Sequence, residues 1–154
     1  RIDLQRNPGH RPLERALEGL GDGLARLVDP GLEFFVSGPA GHHLFVLILG
    51  PVVAPDRGAA SHVAMVSFTT VRDGIPHDAA CVVQAGEHPF VRHASYAYYR
   101  DVRIEPVAHV ASLVERAVWQ PNDPCSPELL AKLQSGVCAS RQVSREVKRM
   151  FGCA

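Results

Sequence analysis

His43-Leu44-Phe45-Val46-Leu47-Ile48-Leu49 is, past its first residue, uninterrupted apolar sequence. It is far too short to span a bilayer, and it lacks the polar alternation of a half-exposed strand. The run predicts a central strand buried on both faces. Gly38-Pro39-Ala40-Gly41 ahead of it reads as a turn, and Leu32 to Ser37 as a short aromatic strand before that turn. Residues 50 to 61 carry two Gly, two Pro and small residues, and read as a surface loop. His62 to Thr70 is rich in β-branched and aromatic residues and reads as a third strand. Ala79 to Gln84 follows as a fourth, and a fifth falls within Ser95 to Ile104. Within that fifth strand, Tyr96, Tyr98 and Arg100 share one face by alternation.

Short strands separated by Gly/Pro turns predict a small barrel or strongly bent sheet rather than alternating strand–helix units. The flanks read as helical. Leu13, Leu17, Leu20, Leu24 and Leu27 recur at steps of three and four, predicting a helix over 12–28. Val107 to Val118 repeats its valines at helical spacing, and Gln120-Pro121-Asn122-Asp123-Pro124 reads as its stop. Ser126-Pro127-Glu128 is a helix N-terminus, with a capping Ser, Pro at the first position and Glu against the dipole. Gly136 reads as the C-cap of that helix. A last helix from about Ser140 has Val143, Val147, Met150 and Phe151 on one face, with Arg141, Arg145, Lys148 and Arg149 mostly elsewhere. That basic face is either a solvated surface or a contact for a partner or RNA. The expected fold is mainly β with added helices, an α+β class. It has a barrel core at 32–105, an N-terminal helix, and a helical extension at 107–151, all in one domain over 1–154.

Sixteen basic and sixteen acidic residues cancel to a net charge of zero. No global field therefore draws the chain to nucleic acid or membrane, and any such binding needs a local groove. The cysteines, Cys81, Cys125, Cys138 and Cys153, form no C-x-x-C pair. That spacing argues against a cysteine zinc site or a redox dithiol, and it predicts reduced thiols in a cytoplasmic protein. The polar opening from Arg1 predicts no secretory signal and no membrane segment.

Chemistry concentrates in Ala85 to Arg100, where sixteen residues hold two His, two Arg, three Tyr and one Ser. His88 and His93 offer imidazoles with pKa values near neutrality. Arg92 or Arg100 offers a planar fork to phosphate oxygens. Tyr96, Tyr98 or Tyr99 can stack an unpaired base. These are parts for metal-free RNA cleavage by attack of the 2′-hydroxyl. They are equally the parts of a structural corner, with His88 satisfying backbone groups and the tyrosines packing on the sheet. Glu87, the carboxylate nearest in sequence, is the candidate to orient His88. His88 and His93 with His77 or Cys81 lack conventional ligand spacing, so no metal or other cofactor is expected.

The apolar strand Leu44 to Leu49, a loop, and a strand ending Val66-Ser67-Phe68-Thr69-Thr70 resemble the core of the PemK/MazF-type toxins, of the CcdB-like barrel superfamily. The run Gly86-Glu87-His88-Pro89-Phe90-Val91-Arg92-His93 resembles a G-[DE]-H-P-F-[IV]-[KR]-H motif of small bacterial proteins related to that barrel. The resemblance implies an SH3-like barrel of about five strands acting as a metal-independent endoribonuclease on single-stranded RNA. It carries the Thr of the third strand over onto Thr70 (or Thr69), which would assist catalysis; beside it, the chemistry of the residues makes His88 or His93 the acid/base, Arg92 or Arg100 the phosphate holder, and Tyr96 and Tyr98 the RNA-stacking faces. An antitoxin protein and a second copy of the chain are the implied partners. Where the toxins carry Arg-Pro ahead of the second strand, this chain has Gly41-His42-His43-Leu44. Either His42, His43 or the His88 region supplies the missing charge, or the protein is a non-catalytic protein- or nucleic-acid-binding module on the same barrel.

Overall fold

The computed structural model describes residues 28–39 and 41–153. The helix expected over 12–28 lies outside the described residues except for Val28, which is buried. Among the described residues, seven strands form one antiparallel sheet: β1 (Glu33–Gly38), β2 (Gly41–Val53), β3 (Ser61–Thr70), β4 (Val82–Val83), β5 (Ser95–Ala97), β6 (Arg103–Pro106) and β7 (Trp119–Asn122). Three helices among the same residues follow or interrupt the last strands: α1 (Val107–Glu115), α2 (Pro127–Ala139) and α3 (Arg145–Met150). No helix among the described residues is long and apolar enough to cross a membrane.

The apolar run of β2 behaves as its composition requires. Leu44 to Ile48 are all buried, and alternation sends them to two different cores. Phe45 and Leu47 join Phe34, Val63, Met65, Val110, Val114 and Trp119 on one face. Val46 and Ile48 join Ala64, Val66, Val83, Ala97, Tyr99, Leu133, Val137 and Val147 on the other. The antiparallel register pairs Val46 with Val66 and Leu47 with Met65, so both strands of the hairpin divide their side chains alike. Helix α1 therefore covers the first face, and α2 with α3 the second.

Among the described residues the sheet is not closed into a barrel. Its path runs β4-β5-β3-β2-β1-β7, with two outer edges, and it forks along β3. Residues 62–65 of β3 pair with β6, whereas 68–70 pair with β5. The single fifth strand expected over Ser95 to Ile104 is thus two strands separated by a 3-10 turn at Tyr99–Asp101. The turn lets the chain leave one branch of the fork and enter the other, with Tyr98 N–H still bonded to Ser67 C=O at 2.8 Å. Register shifts in β2 after Leu47 and Leu49 add the local twist that bulges bring. The fourth strand shrinks to Val82–Val83.

Helix α1 stops at Glu115, short of Val118, in a Schellman motif. Val118 N–H bonds Leu113 C=O at 2.9 Å, and Ala117 N–H bonds Val114 C=O at 3.0 Å. Ala117 takes the left-handed conformation, φ 55°, that the motif gives to glycine. The segment expected as a stop then pairs with β1 as β7, with Pro121 tolerated on an edge strand. Helix α2 begins as expected: Ser126 Oγ accepts from Leu129 N–H at 3.1 Å and Pro127 takes the first position. Gly136 is a correction. It is not the cap, since the helix runs on to Ala139 and Ser140 caps it. Gly136 instead admits Tyr99, whose Oη would lie 2.0 Å from any Cβ there and donates to Leu133 C=O at 2.7 Å.

The cysteines are a second correction. Cys138 and Cys153 are joined in a disulfide, while Cys81 and Cys125 are free. Helix α3 carries Cys153 back beside the end of α2, a proximity that sequence spacing does not reveal.

Two glycine exchanges have opposite expected signs. Gly136→Ala forces Tyr99 out of its groove and costs about 1–3 kcal/mol or more in urea denaturation. Ala117→Gly relieves the left-handed alanine and gains about 0.5–1 kcal/mol, read as a Tm about 1–4 °C higher.

Candidate functional site

Residues 84–91 form a tight loop. Gly86 supplies the left-handed corner at φ 92°, and Val91 N–H bonds His88 C=O at 3.0 Å. The His88 side chain turns inward and is 5% exposed. Its Nδ1 accepts from Phe90 N–H at 3.1 Å. A ring nitrogen that accepts carries no proton, so the hydrogen sits on Nε2 and is donated to Glu33 Oε1. The other oxygen of Glu33 accepts from Asn122 Nδ2 at 2.9 Å. Phe90 packs edge-on against Phe35 at 4.8 Å between ring centres, and Val91 enters the second core. Glu87 is not the orienting carboxylate. It bonds Lys132 Nζ on α2 at 3.1 Å and the Gln84 backbone N–H, and both hold its carboxyl below the usual glutamate range, the backbone bond most.

The four residues singled out for catalysis do not converge. His88 has both ring nitrogens occupied inside the protein. Arg92 and His93 are exposed on the outgoing strand of the loop. Thr70 is exposed at the end of β3, opposite Ser95 in the register.

The residues singled out for RNA contact do converge. Tyr96, Tyr98 and Arg100 line one cleft of about 620 Å³. Pro76 to Ala80 forms a second wall, and Ala139, Arg141 and Gln142, at the joint between α2 and α3, form a third. The His77 ring lies 5.4 Å from the Tyr96 ring, and Tyr96 lies 6.5 Å from Tyr98, edge to face. Arg100 is oriented by Gln142, whose Oε1 accepts from Nε at 3.2 Å and Nη2 at 3.1 Å. Those bonds use two of the five guanidinium N–H donors. Arg141 is exposed on the same wall.

The carboxylate of the cleft, Asp78, is occupied. One oxygen accepts from Ala80 N–H at 3.0 Å and the other from Ser140 Oγ. Ser140 Oγ in turn accepts from Gln142 N–H at 3.0 Å, so one buried hydroxyl joins the second and third walls. Two guanidiniums are thus set against one carboxylate whose oxygens already face donors, which leaves the lining with an excess of positive charge. Tyr99 belongs to its floor. Burial pushes that phenol far above the ordinary tyrosine range, so it stays protonated as the donor to Leu133 C=O. Among the described residues, no group of three or more His, Cys, Asp or Glu is placed to hold a metal ion.

His77, Arg141 and Gln142 carry no motif. His77 stood in the sequence as a candidate metal ligand and Arg141 as one member of a basic face, and only the fold brings them to Tyr96. Compared with protein-family models, with curated proteins and with solved structures, the chain matches none.

The buried pair sets an expected stability order. His88→Ala leaves the Glu33 carboxylate buried without its main donor and costs about 3–5 kcal/mol in chemical denaturation. Glu33→Gln keeps an acceptor for His88 Nε2–H and costs less than half as much. An exposed, catalytically poised His88 would give the reverse, with His88→Ala near neutral.

Proposed function

We propose that the chain is a non-catalytic binding module for single-stranded RNA, carried on a small SH3-like framework left open along one side. The site is the cleft between the 76–80 loop, the Tyr96–Arg100 segment and the joint of α2 and α3. The single observation behind this reading is the convergence of Tyr96, Tyr98 and Arg100 with His77 and Arg141 around one concave surface. Aromatic faces take unpaired bases without regard to sequence, and guanidiniums take the phosphates between them. The cavity volume falls in the range of small-ligand sites, enough for one or two nucleotides rather than a duplex.

The endoribonuclease reading asks for an acid or base beside the phosphate. His88 is taken up by Glu33, but His77 is an imidazole on the cleft wall. Cleavage, if this protein performs it, would run through His77 rather than through the loop histidines.

Fluorescence anisotropy with labelled, unstructured RNA decamers and matched duplexes tests the binding. The single strand binds more tightly than the duplex. Arg100→Ala and Arg141→Ala each weaken it and lower the salt slope by about 0.7. Tyr96→Ala loses about 1–3 kcal/mol from the lost stacking. Wild-type binding no tighter than that of the Tyr96→Ala/Arg100→Ala/Arg141→Ala triple variant would overturn the assignment. Gel analysis of the same RNA separates the two readings. Intact RNA supports the binding module, and cleavage that disappears in His77→Ala supports the nuclease.

A further inference from the structure

We infer that the Cys138–Cys153 disulfide is a redox clasp on the third wall of the cleft, so that a dithiol reductant loosens this wall and weakens ligand binding; the ligand half of this inference rests on the cleft being the RNA site.

The bond joins residues 15 positions apart. The chain it encloses contains Ala139, Arg141 and Gln142, the whole contribution of this region to the cleft. Without the bond, that segment has modest anchorage. Helix α3 is six residues long, well below the length at which a helix holds itself. Its core contribution, with the residues on either side of it, is the buried Val143 and Val147 and the half-buried Phe151. Its ion pairs, Glu146 with Arg57 at 2.6 Å and Arg149 with Asp56, lie at the surface and are of small worth. The cleft side depends on the segment through Ser140 to Asp78 and Gln142 to Arg100. A cross-link enclosing these residues restricts their opening, and losing it frees both contacts at once.

The pair is also placed for exchange. Cys138 is exposed on the last turn of α2, and Cys153 is half-buried. A thiolate of the reductant attacks the Cys138 sulfur, the S–S bond breaks, and Cys153 leaves as thiolate. The second thiolate of the reductant then attacks the mixed disulfide and releases Cys138. Two electrons and two protons pass to the protein, and the reductant departs as its own disulfide. The other cysteines stay out of this exchange. Cys81 is buried, and burial raises its thiol pKa; burial pushes Cys125 up to about 11.

Hydrogen exchange of the full chain, oxidised and after dithiothreitol, tests the clasp without a ligand, and anisotropy with the RNA decamer tests its consequence. Reduction should raise exchange across 139–150 at least tenfold, leave the β2–β3 hairpin unchanged, and lower RNA affinity at least fivefold. The Cys138→Ser/Cys153→Ser variant should match the reduced protein and ignore dithiothreitol. Unchanged exchange across 139–150 overturns the clasp. So does an equal rise across β2 and β3, which would make the bond a staple of the whole fold. Selective loosening with equal RNA affinity in both states overturns the regulation. Selective loosening with no RNA bound in either state upholds the clasp and overturns the RNA reading.

Discussion

A carboxylate buried to 1% exposure in the first residue of β1 is the constraint around which this fold is arranged. A buried carboxyl group in that position needs hydrogen-bond donors from other elements. Asn122 comes from β7, directly opposite Glu33 in the β1–β7 register. His88 comes from a loop 55 residues away. Satisfying one side chain therefore closes the edge of the sheet and folds the 84–91 loop onto it. Once that loop is down, Phe90 rests on Phe35 and Val91 enters the core, and Ser95 to Ala97 can align with the end of β3. The His-Pro-Phe-Val run thus acts on the cleft indirectly. It sets where the tyrosines begin, and it contributes no side chain to the cleft they line.

The parts of the fold that were legible in the sequence are those with a local cause. An unbroken apolar run makes β2 a central strand because both of its faces must find partners, and β3 follows from its β-branched residues. The capped start of α2 is written in Ser126-Pro127-Glu128. The parts that were not legible arise from contacts across the chain. Pro121 argues against a strand until β1 offers an edge on which a missing N–H does no harm. Gly136 has the look of a helix end, yet its missing Cβ answers to Tyr99, 37 residues earlier in the sequence. Glu33 sits in an aromatic strand with no neighbour that marks it as a partner for histidine. The disulfide is of the same kind, since a separation of 15 residues means nothing until α3 turns the chain back.

The candidate site divides in the same way. Alternation put Tyr96, Tyr98 and Arg100 on one face, and they remain together even though the strand ends at Ala97 and a 3-10 turn begins. Their neighbours His77, Arg141 and Gln142 arrive from 19 residues before Tyr96 and about 40 after Arg100, separations at which no pattern survives. The density of His and Arg between 85 and 93 points to an active site only where nearness in sequence is also nearness in space. A tight turn separates such residues instead: His88 goes inward, and Arg92 and His93 go out.

Tyr99 shows why the cleft and the core cannot vary independently. It lies between Tyr98 and Arg100, which face the cleft, and it turns inward into the groove left open by Gly136. Its hydroxyl holds Leu133 C=O on α2, while Arg100 next to it holds Gln142 just beyond that helix. Two adjacent residues of one short turn therefore fix α2 from inside and its trailing segment from outside. Because the inner contact is packed against backbone, it is stiff. The outer one, made between exposed side chains, is soft. Under the proposed RNA binding, a phosphate that engages Arg100 would pull on the soft contact first, and adaptation would fall on the wall that carries Arg141 and Gln142, while the aromatic wall stays where the core has set it.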